Sequence, residues 1–237
     1  MRKILSSMRR AIQDYNMISP NDKIAVGVSG GKDSLALLCA LAAYRKFSEV
    51  PFEVMGITLN MGFEGVDYGS VATLCEKIGV EYVIKHTDIA QIIFDVRKEK
   101  NPCSLCSKMR RGALNDLAIE NGCNKVALGH HNEDVIETFF LSLFYEGRLN
   151  CFSPVTYLSR TDINVIRPFI YTSEGDIKGY ARRTNLPIVH NPCPMDGVSK
   201  RNDMKDFVNE KESLDHSFKT RMMHAIQTGL DDWKIEK

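Results

Sequence analysis

The 237-residue sequence has no apolar run approaching the ~18 residues that cross a bilayer, so no membrane-spanning helix is expected. No apolar stretch follows Met1-Arg2-Lys3-Ile4-Leu5, so a secretory signal is not expected and the cytoplasm is the default compartment. Net charge is nearly absent too: 31 Lys+Arg against 30 Asp+Glu leave +1. That excludes a global field for nucleic acid, so any such contact must come from local basic patches. There is no internal repeat and no low-complexity segment, which argues against a repeat array or a disordered chain. The seven cysteines are an odd number, and thiols in a reducing compartment are more often ligands, nucleophiles or core residues than disulfides.

What is present is ordinary for a globular protein, 43% hydrophobic and 26% charged. The length fits one large domain with small additions and can bury a core without disulfide staples. Residues 2–17 read as an amphipathic helix with Arg2, Lys3, Arg9 and Arg10 on one face. Strands are then expected at 23–28, 52–60, 81–86 and 125–129, and helices at 33–44, 66–78, 88–97, 108–121 and 134–145. A polar insertion, 98–107, interrupts them, and a last strand (164–168), a helix (172–184) and a charged helical tail (204–237) follow. This alternation predicts an α/β fold: a parallel sheet in a Rossmann-type sandwich, with the ligand at the carboxyl edge of the strands.

After the first strand comes Ser29-Gly30-Gly31-Lys32-Asp33-Ser34, opening a helix. Two glycines let the backbone approach a ligand, and the helix N-terminus offers unpaired N–H groups and a positive dipole end, which suit a phosphate. A Walker loop would have Gly at the position of Val26 and Ser or Thr at that of Asp33, so this is a different cradle. A carboxylate beside phosphate is tolerable mainly with Mg2+ between them. The blander alternative is a simple turn followed by a helix cap.

Cys103 and Cys106 form a CxxC pair, and Cys193 lies between Pro192 and Pro194. Spacing alone leaves a zinc site completed by His190 and an iron–sulfur cluster evenly placed, with a thioredoxin-like pair fitting loosely. Cys39, Cys75, Cys123 and Cys151 sit in apolar settings and read as core thiols.

The SGGKDS loop resembles the signature of the PP-loop ATP pyrophosphatases, which cleave ATP between the α- and β-phosphates and leave AMP on an activated oxygen. Residues 103–149, with CxxC and Gly129-His130-His131-Asn132-Glu133-Asp134, are similar to the tRNA 2-thiocytidine synthetases, as are residues 9–34 and Ile166-Arg167-Pro168. The likeness fades after about Ile188. It implies an ATP-binding loop of Ser29, Gly30, Gly31, Lys32, Asp33 and Ser34, with Thr58, Leu59, Gly129 and His130 bordering the nucleotide. It also implies a 4Fe-4S cluster on Cys103, Cys106 and Cys193. The family often has a further cysteine where this chain has Asp196, which leaves the fourth iron open. Asp134 is implied beside the activated base, and Asp33 and Asp134 take catalytic roles. Related sulfur transferases carry a lysine at the position of Arg110, a poor proton acceptor suited to charge stabilisation.

The organisation this implies is a basic helix (1–19), a PP-loop ATP-binding domain (20–187) with the CxxC insertion (98–107), and a C-terminal loop and helical tail (188–237). The implied reaction is Mg2+- and ATP-dependent thiolation of a tRNA pyrimidine, cytidine first. Sulfide or a cysteine desulfurase would supply the sulfur, and a homodimer is compatible with it. Candidate RNA contacts are the face of the first helix together with Lys108, Arg110 and Arg111, then Arg182, Arg183, Lys200 and Arg201. The rival readings are thiolation of another base or small molecule, an amide- or lysine-forming ligase of the same superfamily, and a nucleotide- and zinc-binding regulatory module.

Overall fold

The computed structural model describes residues 1–99, 102–195 and 200–235. Its centre is a six-stranded sheet in the order β3-β2-β1-β4-β6-β5. The strands are β1 (Asp22–Gly27), β2 (Phe52–Asn60), β3 (Glu81–His86), β4 (Lys125–Ala127), β5 (Val155–Leu158) and β6 (Ile163–Ile166). All pairings are parallel except β5 with β6. β1 neighbours both β2 and β4, so the strand order reverses there, and a crevice opens at the carboxyl ends of β1 and β4.

One face of the sheet is covered by α1 (Arg2–Asp14), α2 (Lys32–Tyr44), α3 (Gly69–Ile78), α6 (Asn132–Leu141) and α7 (Glu174–Thr184), and the chain also forms α8 (Lys200–Leu214) and α9 (Phe218–Gly229). α2 is buried on nearly every side, with Leu35, Leu37, Leu38 and Leu41 fully enclosed. Each such leucine contributes roughly 1.5–3 kcal/mol. α1 turns Ile4, Met8, Ala11 and Ile12 inward at helical spacing, while Arg2, Lys3, Arg9 and Arg10 stay exposed. Residues of α8 and α9, and Trp233 beyond them, join the same core; Trp233 meets Tyr15 edge-on at 6.0 Å. The opposite face carries a smaller cluster in which Leu117 and Ala118 of α5 (Pro102–Glu120) pack on Ala25, Met55, Ile57 and Val126.

Asp22 and Lys125 tie the starts of β1 and β4. Their charges lie 2.7 Å apart and almost fully buried, and Lys125 also donates to the Met17 carbonyl at 2.9 Å. Among the described residues, no helix is long and apolar enough to cross a membrane.

The β2 and β3 bounds agree with the sequence reading, and several other bounds move. The cysteine pair is helical, because α5 begins at Pro102 rather than near Lys108. Proline suits a first helical turn, where its fixed φ fits and no amide N–H is needed. Of the polar insertion, Lys100 and Asn101 lie outside the described residues, as does Asp196. The helix expected at 66–78 starts at Gly69, and that at 88–97 is a single turn, α4 (Ile89–Gln91), running into a π-turn, Ile92–Val96. α6 starts two residues early because His131 caps it, and it ends in a second π-turn, Ser142–Glu146. The strand β5 is an addition to the expected set: four residues at a sheet edge carry little pattern. β6 ends before Pro168, which cannot donate to the ladder. The tail helix starts at Lys200, and residues 196–199 and 236–237 are outside the described residues.

Candidate active site

The chain leaves β1 at Gly27 and reaches α2 through Ser29, Gly30 and Gly31. Gly30 has φ +83°, and a Cβ there would lie 2.8 Å from Val189 Cβ, so the turn demands glycine. Ser34 Oγ donates to the Gly31 carbonyl at 2.9 Å and closes the loop on the helix. Gly31 caps α2 without a side-chain hydrogen bond. The amides of the first turn therefore face outward at the positive end of the helix dipole. Gly129, just past β4, packs so tightly that a Cβ would sit 3.0 Å from the Asp33 carbonyl carbon. This contact brings the His130–Asp134 segment against the loop.

Charge is dense here. Lys32 Nζ lies 2.9 Å from Asp33 and 3.1 Å from Glu174. Burial works against its positive charge, but the two carboxylates outweigh burial and raise its pKa. Asp134 Oδ2 accepts from the His131 amide at 2.9 Å, and the His131 ring lies between Asp134 (3.5 Å) and Asp33 (4.0 Å). Its Nδ1 faces both the Asp134 amide at 3.4 Å and Glu133 at 3.3 Å. It accepts from the first when the proton is on Nε2 and donates to the second when it is on Nδ1. Burial disfavours the imidazolium, yet the Glu133 bond and the neighbouring carboxylates raise its pKa overall. His130 behaves oppositely: burial, then Arg167, push it down to about 4, so it is neutral near pH 7.

A cleft of about 690 Å³ runs from this loop along the face of the sheet beneath α5. Ser29, Asp33, Ser34, Gly129, His130 and Asp134 line one end, and Cys103, Cys106, Arg110 and Cys193 line its wall. Leu59 borders it, whereas the Thr58 side chain is fully buried, donating to the Val28 carbonyl and accepting from Tyr82. Among the described residues, four in the cleft carry buried polar atoms without a hydrogen-bond partner: Asp33 Oδ1, Asn115 Oδ1, His130 Nδ1 and Arg167 Nε. Buried polar groups are normally paired, so this set fits a polar ligand that supplies the missing partners.

Cys103 and Cys106 stand one turn apart on α5, on one helix face. Cys193 reaches the same wall because Val189 N donates to the Gly30 carbonyl at 3.0 Å, fastening the late segment onto the loop. Burial pushes the Cys106 thiol up, Arg110 opposes it, and Cys193 and Cys103 are within Coulombic reach. Deprotonated to thiolates, the three cysteines are the soft donor set that iron–sulfur clusters take. Among the described residues no group of three His, Cys, Asp or Glu side chains converges on one ion, and His190 is exposed away from the cleft wall. Cys39, Cys75, Cys123 and Cys151 are buried, as expected of core thiols.

The sequence reading missed what the tail does. α8 and α9 bring Arg201 to Asp134 (3.8 Å), Lys205 to Glu174 (3.0 Å) and Lys219 to Glu133 (3.1 Å). Each is a cation on a carboxylate that touches the loop or His131, the cap of α6. These pairs join residues 31 to 86 positions apart, so no local pattern could have announced them.

Comparison with known proteins identifies the family. A family model described as a PP-loop domain matches residues 3–212. A tRNA-cytidine(32) 2-sulfurtransferase of Geobacter metallireducens is 35% identical over 228 residues, covering 95% of this chain and 89% of that protein. The Ralstonia pickettii protein of the same name is 40% identical over 214 residues, covering 89% and 67%. Among solved structures, the U34-tRNA thiolase NcsA of Methanococcus maripaludis, with its 4Fe-4S cluster, superposes with a TM-score of 0.78 at 26% identity, covering 94% of this chain and 77% of that one. The chain thus belongs to the PP-loop domain family, alongside the tRNA-cytidine(32) 2-sulfurtransferases.

Proposed function

We propose that this protein is an ATP-dependent, iron–sulfur tRNA thiolase that adenylates the C2 oxygen of a cytidine and replaces that oxygen with sulfur. The observation that carries the reading is one cleft with the glycine loop at its end and three cysteines on its wall. ATP would place its phosphates on the amides of Lys32, Asp33 and Ser34, and Asp33, whose Oδ1 has no partner among the described residues, would hold Mg2+, which would supply charge neutralisation for the phosphates. The C2 oxygen of the base attacks the α-phosphorus, the α–β phosphoanhydride bond breaks, and pyrophosphate leaves. Loop amides and Lys32 stabilise the charge that develops on the departing phosphates. Asp134, held by the His131 amide, faces the activated base, and Arg110 offsets negative charge on the sulfur side. Cys103, Cys106 and Cys193 would hold a 4Fe-4S cluster, which would supply the sulfide-carrying chemistry. Sulfur then bonds to C2 and AMP departs with the original oxygen. Free sulfide or a cysteine desulfurase is the source.

Anaerobically purified protein should show the broad visible absorbance of an iron–sulfur cluster, and Cys193→Ala should lose both the band and thiolation while keeping its far-ultraviolet circular dichroism. A colourless protein after anaerobic reconstitution would overturn the reading.

A further inference from the structure

Two carboxylates, Asp33 and Glu174, contact the one ammonium of Lys32, which leaves the phosphate cradle with an excess negative charge. That is the wrong sign for binding a polyanion. Lys178 and Lys205 reverse it: Lys178 reaches Glu174 Oε2 at 2.9 Å, and Lys205 reaches Oε1 at 3.0 Å. Oε1 is also the oxygen that faces Lys32, at 3.1 Å. Lys178 and Lys205 therefore differ in kind. Lys178 neutralises Glu174 from within its own helix, one turn along. Lys205 comes from α8 and occupies the oxygen that Lys32 must leave in order to reach a phosphate. The Glu174 side chain is 11% exposed, so solvent is a weak substitute for either partner.

We propose that Glu174 is a positioning residue that parks the loop lysine, and that Lys205 of α8 holds Glu174 Oε1 when Lys32 moves to ATP. The inference rests on the ATP-site reading above and adds a role for the C-terminal helix. Arg201 and Lys219 pair with Asp134 and Glu133 in the same manner, so α8 and α9 together face the loop as a cationic brace.

The test is a double-mutant cycle on the cluster-containing protein, with KM for ATP measured at saturating tRNA. Lys205→Met should raise KM for ATP on the order of tenfold. The KM for tRNA and the visible band should stay unchanged. Lys178→Met, which removes a charge without freeing Oε1, should have a smaller effect. Glu174→Gln should lower KM for ATP, and in that background Lys205→Met should have little further effect. Lys205→Arg should restore the wild-type value, which separates the role from any folding defect. An unchanged KM in Lys205→Met, or an equal loss with and without Glu174, would overturn the parking role. A wild-type protein with no saturable dependence on ATP would instead overturn the functional reading on which the role rests.

Discussion

Glu137, on α6 one turn beyond Asp134, is a buried carboxylate with its pKa raised to about 7. Burial is the main cause and the Asp134 charge adds to it, while Arg201, Lys205 and His131 oppose. From its ordinary value of 4.5 up to about 7, the folded protein keeps this proton and the unfolded chain releases it. Stability from this group therefore falls as pH rises through that window and is level above it. Glu137→Gln should leave Tm nearly unchanged near pH 4 and raise it by several degrees at pH 8; an equal shift at both pH values would contradict the assignment. Gly30→Ala should cost about 1–2 kcal/mol for the left-handed backbone alone. The Cβ would also push Val189 away and weaken ATP binding, both readable by thermal melts with and without ATP. Gly30 was legible in the sequence, because paired glycines between a strand and a helix have few other uses. Glu174, Lys205 and Lys219 were not, because a charge on an amphipathic helix looks the same whether it faces solvent or a buried carboxylate.

Among elements, the long, strongly apolar ones could be read directly. The strand Phe52–Asn60 and the buried helix Lys32–Tyr44 carry their period and composition on the surface of the sequence. Short ones could not, as the four-residue strand Val155–Leu158 shows: antiparallel pairing with Ile163–Ile166, not its own composition, defines it. The cysteine pair stands out in the sequence as a motif but was misplaced structurally, since Pro102 starts the helix that presents both thiols on one face. The Asp22–Lys125 pair gives a test at this scale. Lys125→Met leaves the buried Asp22 carboxylate without its cation and held only by the Ser19 amide (2.6 Å) and Asn124 Nδ2 (2.7 Å), at a cost of about 3 kcal/mol in chemical denaturation. Adding Asp22→Asn should recover part of that loss, and a double variant no more stable than Lys125→Met would argue against the pair as its cause.

For the whole molecule, a net charge of +1 means that tRNA must be held by patches rather than by the overall field. The exposed basic face of α1 is a candidate for such a patch. Replacing Arg2 and Arg9 with Ala should weaken binding of any tRNA alike and flatten the slope of log K against log salt by roughly 0.7–0.9 for each phosphate that the protein ceases to neutralise. An unchanged slope would remove α1 from the RNA surface. The fold class followed from strand–helix alternation, which also predicted a ligand at the carboxyl edge of the strands, where the cleft lies. The way α8 and α9 return to the site did not, because those contacts bridge distant segments. The most direct test of the central claim is product analysis of an anaerobic reaction containing protein, tRNA, ATP and sulfide. The account predicts AMP and pyrophosphate in step with 2-thiocytidine, one of each per thiolated base. ADP and phosphate in their place, or thiolation that proceeds without ATP, would contradict it.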